Sequence, residues 1–336
     1  AEEARTLQYG DKGEDVLTLQ TRMKELLYYN GPLSGEFGDL TRKAVRRVQE
    51  AYDLEQTGAA DAALQEIIYG DCYRKLTYEM TGKDVQQLQE ALTIYGYYSD
   101  KISGNYLKNT RAAVADAAAA FYRHPERQLR LVGVTGTNGK TTSTHLICHI
   151  LEQTGHPCGL IGTNGIRIRE ELRPADRTTP DGLELYALLR EMADAGCEYA
   201  VMEVSSHSLV LDRVRGLHYA AAAFTNLTQD HLDFHKTMES YFAMKQKLFT
   251  EVPRSDKVCA INTDDPWGRR LAAMLDHTIT FGFTENTESE NHLAGTLLSA
   301  DTGGCHLQMR YKGDTWEIRS PLIGAFNAAN LLTVQA

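Results

Sequence analysis

Apolar positions recur at helical spacing through the first third of the chain and in short strand-like runs through the rest. Val16, Leu19, Met23, Leu26 and Leu27 share one helical face, and Ala44, Val45, Val48 and Tyr52 share another, with a glycine-containing loop between them. The pattern repeats: residues 7–53 and 76–122 align without a gap, Leu76 falling on Leu7. Gly13-Glu-Asp-Val-Leu-Thr-Leu-Gln20 returns as Gly82-Lys-Asp-Val-Gln-Gln-Leu-Gln89, and Tyr28-Tyr29 returns as Tyr97-Tyr98. Glycines kept between the copies point to turns with positive φ. Past His124-Pro125 the rhythm changes. β-prone runs at 130–134, 158–161, 199–204, 220–225, 257–262 and 278–283 alternate with helical patterns near 141–154, 182–195, 238–250 and 265–275. That alternation predicts an α/β domain with a mostly parallel sheet covered on both faces. A polar loop at 284–292 precedes three more β-like runs, and His306 to Tyr311 alternates as an antiparallel hairpin does. No chemistry is expected there.

In such sheets ligands gather at the carboxyl ends of the strands, and the polar clusters fall at those ends. Gly162-Thr-Asn-Gly165, Glu203-Val-Ser-Ser-His207, Thr225-Asn226 and Asn262-Thr-Asp-Asp265 each follow a predicted strand. The sharpest stretch follows Leu131, Val132 and Val134: Gly136, Thr137, Asn138, Gly139, Lys140, Thr141, Thr142, and then a helix carrying Leu146, Ile147, Ile150 and Leu151. Strand, glycine turn and helix is the setting of a phosphate loop. Its backbone N–H groups and helix N-terminus meet phosphate, the lysine reaches the terminal phosphates, and the Thr141 hydroxyl is placed for Mg²⁺. Val134 stands where the usual pattern has its first glycine, so this is a compact variant. A plain glycine turn would leave the Gly-Lys-Thr-Thr run unexplained.

A second constellation is Glu203, then Asp230-His231-Leu-Asp233-Phe-His235, then Tyr241 to Lys245. Phosphoryl transfer needs cations held by oxygen and imidazole ligands; Glu203 suits one Mg²⁺ and His231 a second. Taken alone, the histidine run reads better as a helix start capped by Asp230 with solvated charges. His145 and His149 lie one turn apart without an acidic partner and read as helix packing, not metal ligands.

Length and composition narrow the class. At 336 residues the chain holds two or more domains, 42% of it hydrophobic, with no apolar run long enough for a transmembrane segment. A net charge of −10 argues against a general nucleic-acid binder. Six scattered cysteines without a CxxC pair point to buried thiols in a reducing compartment and away from zinc. The chain begins at Ala1 without a leader pattern, as a processed or cut N-terminus would.

Gly10 to Gln49 resembles the small helical peptidoglycan-binding domain. The second copy departs from it, with Tyr106-Leu107 for Phe37-Gly38 and Ala118 for Gln49. The resemblance implies a cell-wall glycopeptide-binding module for the first copy. For the second copy, a helical spacer or protein-interaction platform is the expectation. GTNGKTT, Thr178-Thr179-Pro180, EVSSH, TNLTQDHLDFH, YFAMKQKLF, INTDD and GAFNAAN, in that order, look like the central ATPase domain of the Mur ligases, and within them the UDP-N-acetylmuramoyl-tripeptide synthetase branch. This implies that Gly136 to Thr142 bind ATP phosphates and that Thr141 and Glu203 hold one Mg²⁺. It further implies that His231 and an N-carbamylated Lys245, rather than Lys247, serve the second. Asn327 and Asn330 then lie near the adenine. Thr178, Thr179, Ser205 and Arg213 contact the muramoyl peptide, although Arg177 and Leu211 stand where some members have Asn and Gln. In the implied reaction ATP phosphorylates a carboxylate and an amine attacks the acyl phosphate, with Lys140, Glu203, His231 and Lys245 at the centre.

The expected domains are 1–70 (peptidoglycan-binding-like), 71–122 (degenerate repeat and linker) and 123–336 (ATP-binding). Mur ligases carry two further domains, and the chain stops within a helical run, so it reads as part of a longer protein that binds Mg²⁺-ATP with little or no ligation. The substrate is a UDP-MurNAc-peptide. A ligase on a nucleotide-free muropeptide, and a non-catalytic nucleotide- and muropeptide-binding sensor, are the alternatives. ATP chemistry favours the cytoplasm, against the usual extracytoplasmic place of such repeats.

Overall fold

The computed structural model describes residues 4–70, 76–250, 258–284 and 290–336. Cys72, the expected boundary at 71, residue 257 of the sixth predicted strand and most of the 284–292 loop lie outside them. The chain divides into two compact units, Ala1–Thr110 and Arg111–Ala336.

The first unit holds α1 (Glu14–Glu25), α2 (Asp39–Ala51), α3 (Ala62–Tyr69), α4 (Lys83–Ile94) and the start of α5 (Lys108–Phe121). Val16, Leu19, Met23, Ala44, Val45 and Val48 form its core with Leu64 and Ile68 of α3, a helix the sequence pattern did not predict. α1 ends at Glu25, so Leu26 and Leu27 are not helical face residues; Leu27 is left-handed at φ 63°. Tyr28 and Tyr29 are buried in their place.

The repeat is explained by one buried glutamine per copy. Gln20 accepts from Gly35 N (2.9 Å) and donates to Thr41 Oγ1 (2.9 Å). Gln89 does the same with Gly104 N (2.9 Å) and Thr110 Oγ1 (2.8 Å). Gly35 and Gly104 sit at φ 68° and 69°, with an added Cβ 3.2 Å and 3.1 Å from the Gly13 and Gly82 carbonyls, so turn and helix are locked alike. The copies differ where α3 would be. In register, its counterpart is occupied by the sequence of the next unit, and Ile94 and Tyr95 remain exposed.

The second unit is one sheet with helices on its faces. In chain order it contains β1 (Arg130–Thr135), α6 (Lys140–Gln153), β2 (Cys158–Gly162), β3 (Gly165–Ile168), β4 (Glu171–Arg173), α7 (Gly182–Asp194), β5 (Tyr199–Glu203), α8 (Ser206–Val210), β6 (Tyr219–Phe224), α9 (Leu232–His235) and α10 (Met238–Thr250). β7 (Val258–Asn262), α11 (Pro266–Ala272), β8 (Thr278–Gly282), β9 (His292–Asp301), β10 (Gly304–Tyr311), β11 (Asp314–Ser320) and α12 (Ala325–Gln335) complete it. The strand order is β11-β10-β9-β8-β7-β6-β1-β5-β2-β3-β4, parallel from β2 through β9, with antiparallel margins at both ends.

Buried parallel strands carry apolar residues on both faces. On β1, Leu131 joins a core with Leu185, Met202, Phe224 and Phe242, while Val134 faces Phe281, Leu331 and Leu332. From β1 the chain moves outward to β2 and back to β5, then crosses β1 to reach β6. That reversal opens a crevice at the carboxyl ends of β5, β1 and β6. The five described cysteines are buried thiols, as expected. His145 and His149 are exposed on α6 and do not pack; the His145 ring instead bonds back to the Thr141 carbonyl at 2.8 Å. Among the described residues no helix is long and apolar enough to cross a membrane.

Candidate functional site

The loop from Gly136 to Gly139 leaves β1 and turns into α6, with Gly139 in the left-handed N-cap conformation (φ 86°). Its shape is held from outside by the end of β6. Thr137 N donates to Asn226 O (2.9 Å), Asn138 N to Asn226 Oδ1 (2.9 Å), and Thr225 Oγ1 to Asn138 O (2.6 Å). Nothing in the sequence pattern gave Thr225 and Asn226 this clamping role. The first-turn N–H groups of α6, from Lys140 to Thr142, have no intrahelical acceptor by construction and are directed at whatever sits over the loop.

An added Cβ on Gly136 would overlap Thr225 Oγ1, at φ 147°, whereas one on Gly155 (φ 88°) would meet nothing within 4 Å. Gly136→Ala is therefore expected to cost about 2–5 kcal/mol in urea unfolding, and Gly155→Ala only about 1, the left-handed strain alone. Equal losses in the two variants would mean the loop is not clamped as described.

Lys140 Nζ folds back onto the Gly136 and Thr137 carbonyls, at 3.0 and 2.8 Å. Burial lowers its pKa, opposed by Glu203 and Asp230. Register places Glu203 beside Val134, at the mouth of the loop. Its carboxylate is fully buried and gathers hydroxyl and amide donors: Thr141 Oγ1 at 2.9 Å, Thr163 N at 2.8 Å and Thr163 Oγ1 at 3.3 Å. Thr163 went unassigned in the sequence, though its cluster at the end of β2 was the signal.

Lys245, on α10, is 1% exposed, and its Nζ donates to the Gly136 carbonyl at 2.8 Å from below the loop. Burial foremost, with Lys140 adding to it, holds its pKa well below the ordinary lysine value. Its Nζ lies 4.7 Å from the Tyr241 ring centroid, and the His231 ring lies 6.3 Å from the same ring. His231, left-handed at φ 52°, is itself the N-cap of α9, so the run is a helix start but not one capped by Asp230, whose carboxylate accepts from His231 N; His231 faces the cleft. Around it His207 stands edge-on at 5.0 Å, and His235 stacks on Tyr241 at 4.8 Å while bonding Ser206 Oγ at 2.8 Å. Burial first, then neighbouring cations, lowers the His207 pKa and takes that of His235 to about 4. Among the described residues no three His, Cys, Asp or Glu side chains converge as a metal cage. Thr141 and Glu203 offer a pair of hard oxygen donors instead, the sparse protein ligation that suits Mg²⁺ when substrate phosphates complete the shell.

A cleft of about 510 Å³ unites these groups. It is lined by the loop from Thr137 to Thr141, by Thr163, Glu203, His207 and His231, and by Arg177, Thr178, Thr179, Ser205 and Arg213. Thr179 Oγ1 donates to the Glu203 carbonyl (2.8 Å), Ser205 N donates to Thr179 Oγ1 (3.2 Å), and Arg213 Nη1 donates to the Thr179 carbonyl (3.1 Å). Asn327 and Asn330 are buried on α12 and bonded to each other at 2.9 Å; a Cβ on Gly139 would overlap Asn330 Oδ1. Most of the expected site residues line this cleft, while Gly136, Lys245, Asn327 and Asn330 lie behind its loop.

Residues 134–336 match the family model described as "Mur ligase middle domain", and residues 12–68 and 81–121 match one described as "Putative peptidoglycan binding domain". A UDP-N-acetylmuramoyl-L-alanyl-D-glutamate–2,6-diaminopimelate ligase of Lawsonia intracellularis is 43% identical over 227 residues, which is 67% of this chain and 47% of that protein. The ligase of the same name in Gloeobacter violaceus is 46% identical over 226 residues, covering 65% and 43%. A solved structure of a ligase so named superposes with a TM-score of 0.58 at 30% identity, covering 66% of this chain and 46% of that one. The chain spans less than half the length of these curated relatives.

Proposed function

Because the chain belongs to the Mur ligase family, we propose that its α/β unit is the nucleotide-binding centre of an ATP-dependent amide ligase acting on a UDP-MurNAc-dipeptide. The observation that carries this reading is the single cleft in which Lys140, the Thr141–Glu203 pair and His231 share walls with Thr178, Thr179, Ser205 and Arg213. Phosphate binding and an acceptor site side by side are what phosphoryl transfer to a bound carboxylate requires. A carboxylate oxygen of the dipeptide takes the γ-phosphoryl of ATP and ADP departs. An amino-acid amine then attacks the acyl carbon, forming the amide and releasing phosphate and a proton. Relatives carry 2,6-diaminopimelate in their names, and that amine is the one proposed here.

Gly136 to Thr142 cradle the phosphates, Lys140 follows the γ-phosphoryl, and Asn327 and Asn330 border the nucleotide through Gly139. Thr141 and Glu203 would hold one Mg²⁺, and His231 with Lys245 a second. Metal bound there supplies charge neutralisation on the transferring group. For Lys245 to serve, its amine must become an anion, and a buried lysine with a depressed pKa has the neutral amine that adds CO₂ to give a carbamate. The carbamate nitrogen keeps one N–H, enough to retain the bond to the Gly136 carbonyl. ATP supply puts this work in the cytoplasm. The repeat unit, whose first copy has a complete core, is proposed to bind peptidoglycan glycopeptide.

The experiment is trapping with hydroxylamine. Hydroxylamine stands in for the amino-acid amine, so the trap reads acyl-phosphate formation even where ligation itself is slight: protein, Mg²⁺-ATP and UDP-MurNAc-L-Ala-D-Glu are expected to yield ADP and a peptidyl hydroxamate in equal amounts. ADP without hydroxamate, or no nucleotide binding at all, would defeat the ligase reading and leave the sensor alternative. The peptidoglycan-binding-like sequence directly ahead of this domain favours a second reading, a nucleotide-free muropeptide substrate. Comparing the UDP-linked peptide with the free muropeptide in the same assay separates the two.

A further inference from the structure

The cleft carries a charge arrangement that the proposed chemistry uses only in part, through Arg213. Arg177 and Arg213 both line it, and both guanidiniums converge on one carboxylate. Arg213 Nε lies 2.8 Å from Asp181 Oδ1, and Arg177 Nη1 donates to Asp181 Oδ2. Asp181 is the N-cap residue of α7 yet makes no side-chain cap bond. An aspartate in that position ordinarily accepts from first-turn N–H groups; this one is turned to the arginines instead. One carboxylate cannot neutralise two cations. Burial first, and then Arg177 and Arg111, hold the Arg213 pKa below its ordinary value despite Asp181.

We propose that Arg177 and Arg213, splayed on Asp181, form a fork for a second, non-reacting carboxylate on a diacid substrate end, with Arg177 setting the preference. The proposal rests on the dipeptide reading above and deepens it. Planar guanidiniums pair with carboxylate through parallel N–H bonds, and a residue with a neutral amide at 177 would offer no such charge. Arg177 is about two-fifths exposed, so it can meet a ligand without refolding the loop.

The test is equilibrium binding to the full chain with Mg²⁺ and a non-hydrolysable ATP analogue. The probes are UDP-MurNAc-L-Ala-D-Glu and its counterpart with the non-reacting carboxylate amidated. The unaltered protein is expected to prefer the diacid about tenfold, one charge-assisted contact. Arg177→Asn should bring the preference within about twofold while leaving affinity for the amide unchanged, and Arg177→Lys should fall between. Equal affinity of the unaltered protein for both peptides, or an equal loss for both in Arg177→Asn, would overturn the fork. Pyrophosphate displacing the diacid at micromolar levels while the amide stays bound would also overturn it, because the arginines would then be reading phosphate. Affinity for the ATP analogue is read in the same samples. Its absence counts against the proposed function, and its presence without diacid preference counts against the fork alone.

Discussion

Lys140→Ala is expected to lower affinity for Mg²⁺-ATP by roughly one hundredfold, measured by calorimetry or by displacement of a fluorescent analogue. In the structure Nζ rests on two carbonyls of its own loop, at 3.0 and 2.8 Å, so it stands over the place where phosphates must enter. Charge-assisted bonds from such an amine contribute about 1.5–3 kcal/mol each, which at 1.4 kcal/mol per decade spans about ten- to one-hundredfold. The upper end is expected because the group is already desolvated, and the low local dielectric strengthens its attraction to phosphate. For the same reason the substitution should not unfold the protein. Removing a half-buried amine whose partners are carbonyl oxygens relieves part of a desolvation cost, so the midpoint of urea unfolding should hold or rise. Lys140→Arg is not a conservative control, since a planar guanidinium fork does not reproduce the compact point charge of the ammonium. Full affinity in Lys140→Ala would mean that the nucleotide, if any, sits elsewhere.

The phosphate loop was legible because its chemistry and its backbone requirement coincide. Gly136 and Gly139 are dictated by close approach of Thr225 and Asn330, and Lys140 and Thr141 by phosphate, all within seven residues. Glu203 was legible as a polar residue ending an apolar run. What escaped were partners brought in by topology. Asn226 clamps the loop from β6, Thr163 orients Glu203 from the turn after β2, and Arg177 shares Asp181 with Arg213 across more than thirty residues. Asn226 and Thr163 stood in polar clusters at strand ends, but the partner each finds across the fold is not written in the local sequence. The same limit shows in the fold. The short β3 and β4 have too few residues to display alternation, and α3 was missed because eight residues give barely two turns of pattern. The exposed His145 and His149 show the converse error, where helical spacing on α6 was taken for a packed face.

Lys245→Met is expected to stabilise the protein while abolishing its chemistry. An ammonium with 1% exposure, cation neighbours and a carbonyl for company is costly to keep, and its pKa is driven well down by burial. The pH dependence follows from that direction. Below the depressed folded-state pKa both folded and unfolded chains hold the proton, and the full cost is present. As pH rises from that value toward the unfolded value of about 10.4, the unfolded chain holds a proton the folded one has released, so stability climbs with pH. Above both values the cost is gone. Methionine fills a similar volume without the charge, so unfolding free energy at neutral pH should increase by about 1–4 kcal/mol, and the rise across that window should flatten. Hydroxamate formation should fall by a factor on the order of 10²–10³, the usual penalty for losing one group that stabilises charge in a transition state. Added bicarbonate sharpens the contrast, because carbamate formation draws on the neutral amine and should raise activity of the unaltered protein only. A variant at 245 that turns over normally would remove Lys245 from the site. One that loses activity without gaining stability would show instead that the buried amine is already satisfied by its neighbours.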